Sequence, residues 1–94
     1  MNAVGIDVSK GKSMVAILRP FGEVVASPFE VGHTGQELSS LAQRLLALDG
    51  ETKVVMECTG SYYLPVAYVL AVVNTAASFI CKETGAVVPV RQIQ

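Results

Sequence analysis

A chain of 94 residues is one domain or part of one, long enough to bury a core yet near the lower end of the domain size range. Hydrophobic residues make up 51% and charged residues 16%, which excludes a disordered chain. With 7 basic against 8 acidic side chains there is no strong positive field of the kind a self-sufficient nucleic-acid binder carries, so any such contact is local or shared.

The first predicted strand runs through Ala3-Val4-Gly5-Ile6-Asp7-Val8. Val4, Ile6 and Val8 fall on one face, and Ala3, Gly5 and Asp7 on the other. An acidic residue inside what reads as a buried strand needs a cation, a donor or a metal ion beside it. The structural alternative is that Asp7 ends a short strand and faces water. Ser9-Lys10-Gly11-Lys12 supplies turn chemistry, and residues 13–19 form the second strand of a hairpin. Pro20-Phe21-Gly22-Glu23 is a second turn, leading to a strand over 24–31 that contains Pro28. Proline cannot donate to a sheet ladder, so this strand belongs at an edge or is broken there.

Thr34-Gly35-Gln36-Glu37 matches a capping box, in which the threonine satisfies a free amide and the glutamate reaches back to the cap. A helix follows, with Leu38, Leu41, Ala42, Leu45 and Leu48 on its apolar face and Asp49-Gly50 at its end. Residues 53–58 form a short apolar strand, then Thr59-Gly60-Ser61 precedes a helix over 62–73 with Pro65 in its first turn. Residues 76–81 and 86–90 are candidate strands around a Lys82-Glu83-Thr84-Gly85 turn. The apolar stretch over 64–73 is too short to span a bilayer, and no basic region followed by an apolar one marks the N-terminus as a secretion signal. Cys58 and Cys81 have neither CxxC spacing nor a histidine cluster, so a reduced, cytoplasmic chain without structural zinc is expected.

The order strand, strand, strand, helix, strand, helix predicts an α/β fold: a three-stranded antiparallel meander extended by parallel strands, with helices packed on the sheet. The first and fourth strands are then neighbours. Lys53, Val55 and Glu57 share a face of the fourth, so Asp7 and Glu57 project side by side. Two adjacent carboxylates repel unless something positive holds them, and a hard divalent ion such as magnesium does so through oxygen ligands.

Gly5-Ile6-Asp7-Val8-Ser9-Lys10, together with Met56-Glu57-Cys58-Thr59-Gly60-Ser61-Tyr62-Tyr63 and the apolar run after it, resembles the N-terminal part of the DEDD-type transposases of the insertion sequence 110 family. The resemblance covers residues 4–73. It implies an RNase H-like domain similar to that of RuvC-type resolvases, with an Asp, Glu, Asp, Asp tetrad that binds Mg2+. Asp7 corresponds to the first acid and Glu57 to the second, as both catalytic and metal-binding residues. The third and fourth acids belong to a K-T-D-x-x-D-like motif that this sequence lacks, and the family's C-terminal domain with its nucleophilic serine is not found in it. The resemblance therefore implies one partial RNase H-like domain over 1–94, with a divergent tail from about residue 75, inactive on its own. DNA and a guide RNA are the implied partners of the intact parent, with a second copy or a full-length transposase as protein partner and no membrane.

Lys10 and Lys12, on the turn beside Asp7, are candidate phosphate contacts, although two lysines on a hairpin are ordinarily solvated. Arg19, Arg44 and Arg91 form no stripe, and His33 reads as a loop histidine without function. Thr59-Gly60-Ser61 offers amides to an anion or simply caps the helix. Tyr62, Tyr63 and Tyr68 are candidates for base stacking or for core and interface packing. Two other readings compete with the transposase. One is a lobe of an actin- or sugar-kinase-like ATPase, disfavoured by Val8-Ser9-Lys10 where such proteins carry small phosphate-cradling residues. The other is a non-catalytic remnant that binds full-length transposase.

Overall fold

The computed structural model describes residues 2–19, 24–48, 51–58, 62, 64–73, 78–81 and 85–89. β1 (Asn2–Ser9) and β2 (Lys12–Leu18) form an antiparallel hairpin in which Ser9 pairs with Lys12. Gly11 closes the turn at φ 76°, a left-handed conformation that glycine adopts without a Cβ clash. The Ser9 hydroxyl donates to the Lys12 carbonyl at 3.2 Å and fastens the turn.

β3 (Val24–Gly32) lies antiparallel to β2 at the sheet's edge. Val15 is opposite Phe29 and Ile17 opposite Ala26, so Ser27 and Pro28 together face the place of Ala16. This is a bulge on an edge strand, a position where a missing amide donor costs no ladder bond. The preceding turn, Pro20 to Glu23, lies outside the described residues.

α1 (Gly35–Leu46) starts at Thr34, whose hydroxyl accepts from the Glu37 amide at 3.2 Å. The Glu37 carboxylate accepts from the Gly32 amide, two residues before the cap, and not from the cap itself as a standard capping box would have it. Leu38, Leu41 and Leu45 are buried, Leu48 packs on the core beyond the helix, and Ala47 is the C-cap. The expected stop at Asp49-Gly50 falls outside the described residues.

β4 (Thr52–Cys58) returns parallel to β1, α2 (Leu64–Val73) follows, and β5 (Ser78–Cys81) lies parallel to β4. β6 (Val87–Pro89) is antiparallel to β5, giving the strand order β3-β2-β1-β4-β5-β6 among the described residues. The order thus extends past the parallel fourth strand and ends on an antiparallel sixth. α2 begins at Leu64, two positions later than the sequence pattern places it, with Pro65 in its first turn. Lys82, Glu83 and Thr84 of the expected last turn are outside the described residues. Among those described, no helix is long and apolar enough to cross a membrane.

One face of the sheet carries the core. Val4, Ile6, Val8, Val15, Ile17, Val31, Val54 and Met56 form one cluster with Leu38, Leu41 and Leu45 of α1 and Val66, Ala67 and Leu70 of α2. Each of the valine, leucine, isoleucine and methionine side chains contributes on the order of 1.5–3 kcal/mol by leaving water, so the helices are held mainly by this face. Ala3, Gly5, Asp7 and Ser9 of β1 alternate onto the opposite face and are exposed, as are Met14 and Leu18 of β2.

Candidate functional site

In the parallel register of β1 and β4, Asp7 is paired directly with Glu57. Both lie near the C-terminal ends of their strands, and β-strand alternation turns both toward the face that the helices leave open. Adjacent strands run about 4.8 Å apart, so two carboxylates rise side by side from neighbouring backbones. Asp7 does not sit in a buried strand interior. Since both helices pack on the other face, its side chain is exposed and escapes the burial penalty that the sequence pattern implied.

A cleft of about 310 Å³ lies over this pair, lined by Gly5, Asp7, Met14, Val55 and Glu57 among others. A Cβ at Gly5 would meet no atom within 4 Å, so the space above β1 beside the acids is open. Oxygen-only donors on adjacent strands suit a hard cation such as Mg2+, which takes one or two carboxylates and completes its octahedron with water or phosphate oxygens. Among the described residues no group of three or more His, Cys, Asp and Glu side chains converges as a metal site. Among the described residues, two carboxylates are the oxygen donors the pair offers.

A second cleft, of about 370 Å³, wraps the end of the sheet where β1 turns into β2 and is lined by Asp7, Ser9, Lys10, Lys12, Ser13 and Tyr62 among others. Lys12 is engaged across the sheet with Glu30 at 3.2 Å. Both members are more than half exposed, so the pair contributes little to stability. Lys10 is exposed on the turn and makes no ion pair with a described residue. Tyr62 is 45% exposed.

His33 has a role that its sequence position did not reveal. Its Nε2 lies 2.7 Å from the Oγ of Ser13, which is buried on the core face of β2. Burial lowers the His33 pKa below its usual value and so favours the neutral ring, whose nitrogen can accept the hydroxyl proton. The signal lay in β2's own alternation: Ser13 shares the inward face with Val15 and Ile17, and an inward hydroxyl needs a partner. Arg44 stacks over the Phe29 ring at 4.3 Å, a packing role at the sheet edge. Tyr68 is exposed on α2. Thr59, Gly60, Ser61, Tyr63 and Arg91 lie outside the described residues.

The chain is thus an α/β protein whose sheet carries Asp7 and Glu57 near the C-terminal ends of two adjacent parallel strands, with a cleft over them. The chain belongs to the DEDD transposase family of insertion sequence 110, whose model, described as a transposase, matches residues 4–80. The match thus continues past Val73 and into β5. No curated protein matches the chain. Among solved structures, one described as the Aquifex aeolicus PPX-GPPA enzyme is 12% identical, with a TM-score of 0.42, over 88% of this chain and 36% of that one. A likeness at that level carries no inference about this chain, which spans about a third of that structure's length.

Proposed function

We propose that this chain supplies the first two acids of a metal-dependent DNA-cleaving site in a transposase, built on an RNase H-like sheet. The observation that supports it is the direct pairing of Asp7 with Glu57 on the open face, within a chain of the DEDD transposase family. In this reading the two carboxylates hold Mg2+, and the DNA phosphate approaches over the cleft at Gly5, Met14 and Val55. The bound ion would polarise the phosphoryl group and stabilise charge on the attacking and leaving oxygens. Asp7 and Glu57 fix where that charge is held. The β1–β4 ladder sets their spacing. The remaining acids of the tetrad, and the partners DNA and guide RNA, belong to the parent enzyme that the family resemblance implies.

The test is titration of the chain with Mg2+, and with Mn2+ as a paramagnetic substitute, followed by amide NMR. Broadening by Mn2+ centred on residues 7 and 57 is expected, and Asp7→Asn or Glu57→Gln should remove it. Broadening that persists in both variants, or none at millimolar Mn2+ in the parent, refutes the proposal.

A further inference from the structure

The cleft at the β1–β2 turn adjoins the carboxylate cleft, and Asp7 and Met14 line both. Most of its hydrogen-bonding groups are already committed within the fold. The Ser9 hydroxyl is given to the Lys12 carbonyl, Ser13 is bonded to His33, and Lys12 is paired with Glu30. Asp7 belongs to the acidic pair. Among the described residues that line the cleft, this leaves the Lys10 ammonium and the Tyr62 ring exposed to solvent, one cation and one aromatic face.

We propose that this cleft seats one nucleotide of a single-stranded DNA segment, with Lys10 against its phosphate and Tyr62 against its base, next to the phosphate held at Asp7 and Glu57. The inference rests on the metal-site reading above and extends it to how the strand is positioned. A volume of about 370 Å³ suits a single nucleotide-sized ligand. A ring can stack only on a base that has left its neighbours, and such stacking tolerates any sequence because every base offers a π-face. Asp7 and Met14 line both clefts, so adjacent nucleotides of one strand crossing this shared wall would occupy the two clefts in turn. A lone ammonium neutralises one phosphate, which sets the size of the electrostatic contribution.

The experiment measures binding of a short oligodeoxythymidylate to the 94-residue chain across a salt series, with inorganic phosphate as a competitor. Lys10→Gln should weaken binding severalfold and reduce the salt slope by about 0.7, the value for one phosphate contact on a single strand. Tyr62→Leu should weaken it about fivefold or more, whereas Tyr62→Phe, which keeps the ring, should stay close to the parent. Lys53→Gln, which removes an exposed charge from β4 outside the cleft, serves as the control. No measurable binding by the parent, equal losses from Lys53→Gln and Lys10→Gln, or phosphate competing as well as the oligonucleotide overturns the proposal. Mn2+ broadening at residues 7 and 57 is read on the same variants. If it is intact while Lys10 and Tyr62 prove irrelevant to DNA, the nucleotide seat is wrong and the metal reading stands. If it is absent from the parent while DNA binding depends on Lys10 and Tyr62, the seat stands and the metal reading falls.

Discussion

A hydroxyl turned into a hydrophobic core loses water and must find a partner, and Ser13 finds it in His33, twenty positions along the chain at 2.7 Å. Burial lowers the His33 pKa in the folded state, so the unfolded chain takes up the proton more readily. This contribution to stability is therefore fully present above the unfolded value of about 6.5 and is lost as pH falls through the window down to the lowered folded value. Urea denaturation at about pH 8 and about pH 5 should show the parent losing more stability than His33→Gln, which keeps a hydrogen-bonding group but does not titrate. Equal losses would show that the histidine does not titrate against folding. The residue scale also marks where sequence reading stops. Alternation alone assigned Asp7 to the face opposite Val4, Ile6 and Val8, because that follows from the backbone. Whether that face is covered depends on where α1 and α2 pack, and no local pattern around Asp7 carries that. The Ser13–His33 contact is likewise tertiary and needs β3 in register beside β2.

At the scale of the element, α1 was legible because two independent signals agree on it: a capping box formed by Thr34 and Glu37, and leucines at helical spacing. Removing the cap should cost about 1 kcal/mol, so Thr34→Ala should lower the denaturation midpoint while Thr34→Ser stays near the parent. An unchanged midpoint would mean that Glu37, through its bond to the Gly32 amide, holds the entrance of α1 without the threonine. α2 was less legible. Leu64–Val73 is apolar on nearly every side and has no charged residue, so periodicity could not fix its start or its buried face. Packing decides, burying Val66, Ala67 and Leu70 and leaving Tyr68 exposed. Pro28 marked β3 as an edge strand or a broken one, and the strand is at the sheet's edge with a bulge at Ser27 and Pro28.

Across the whole molecule, one asymmetry governs what these 94 residues can do: the sheet is covered by helices on one face, and the acidic pair stands on the other. The pairing of Asp7 with Glu57 was legible because a helix joining the third strand to the fourth leaves the first strand's free edge as a natural place to pair. β5 and β6 were only loosely legible, since short apolar runs near the end of the chain read as strands without showing where they add to the sheet. The ligand count then limits the chemistry. Magnesium favours six oxygens in near-octahedral geometry, and two carboxylates leave most of that shell to water or substrate. Positioning supplies a large share of an enzyme's advantage, and an ion held by two side chains on an open face is free to shift relative to a phosphate. The 94-residue chain is therefore expected to bind Mg2+ weakly and to leave DNA uncut. Incubation with supercoiled and branched DNA in millimolar Mg2+, beside Asp7→Ala and Glu57→Ala, tests this directly. Cleavage by the parent that both substitutions abolish would overturn the expectation and show that a further residue, or a second copy of the chain, completes the site.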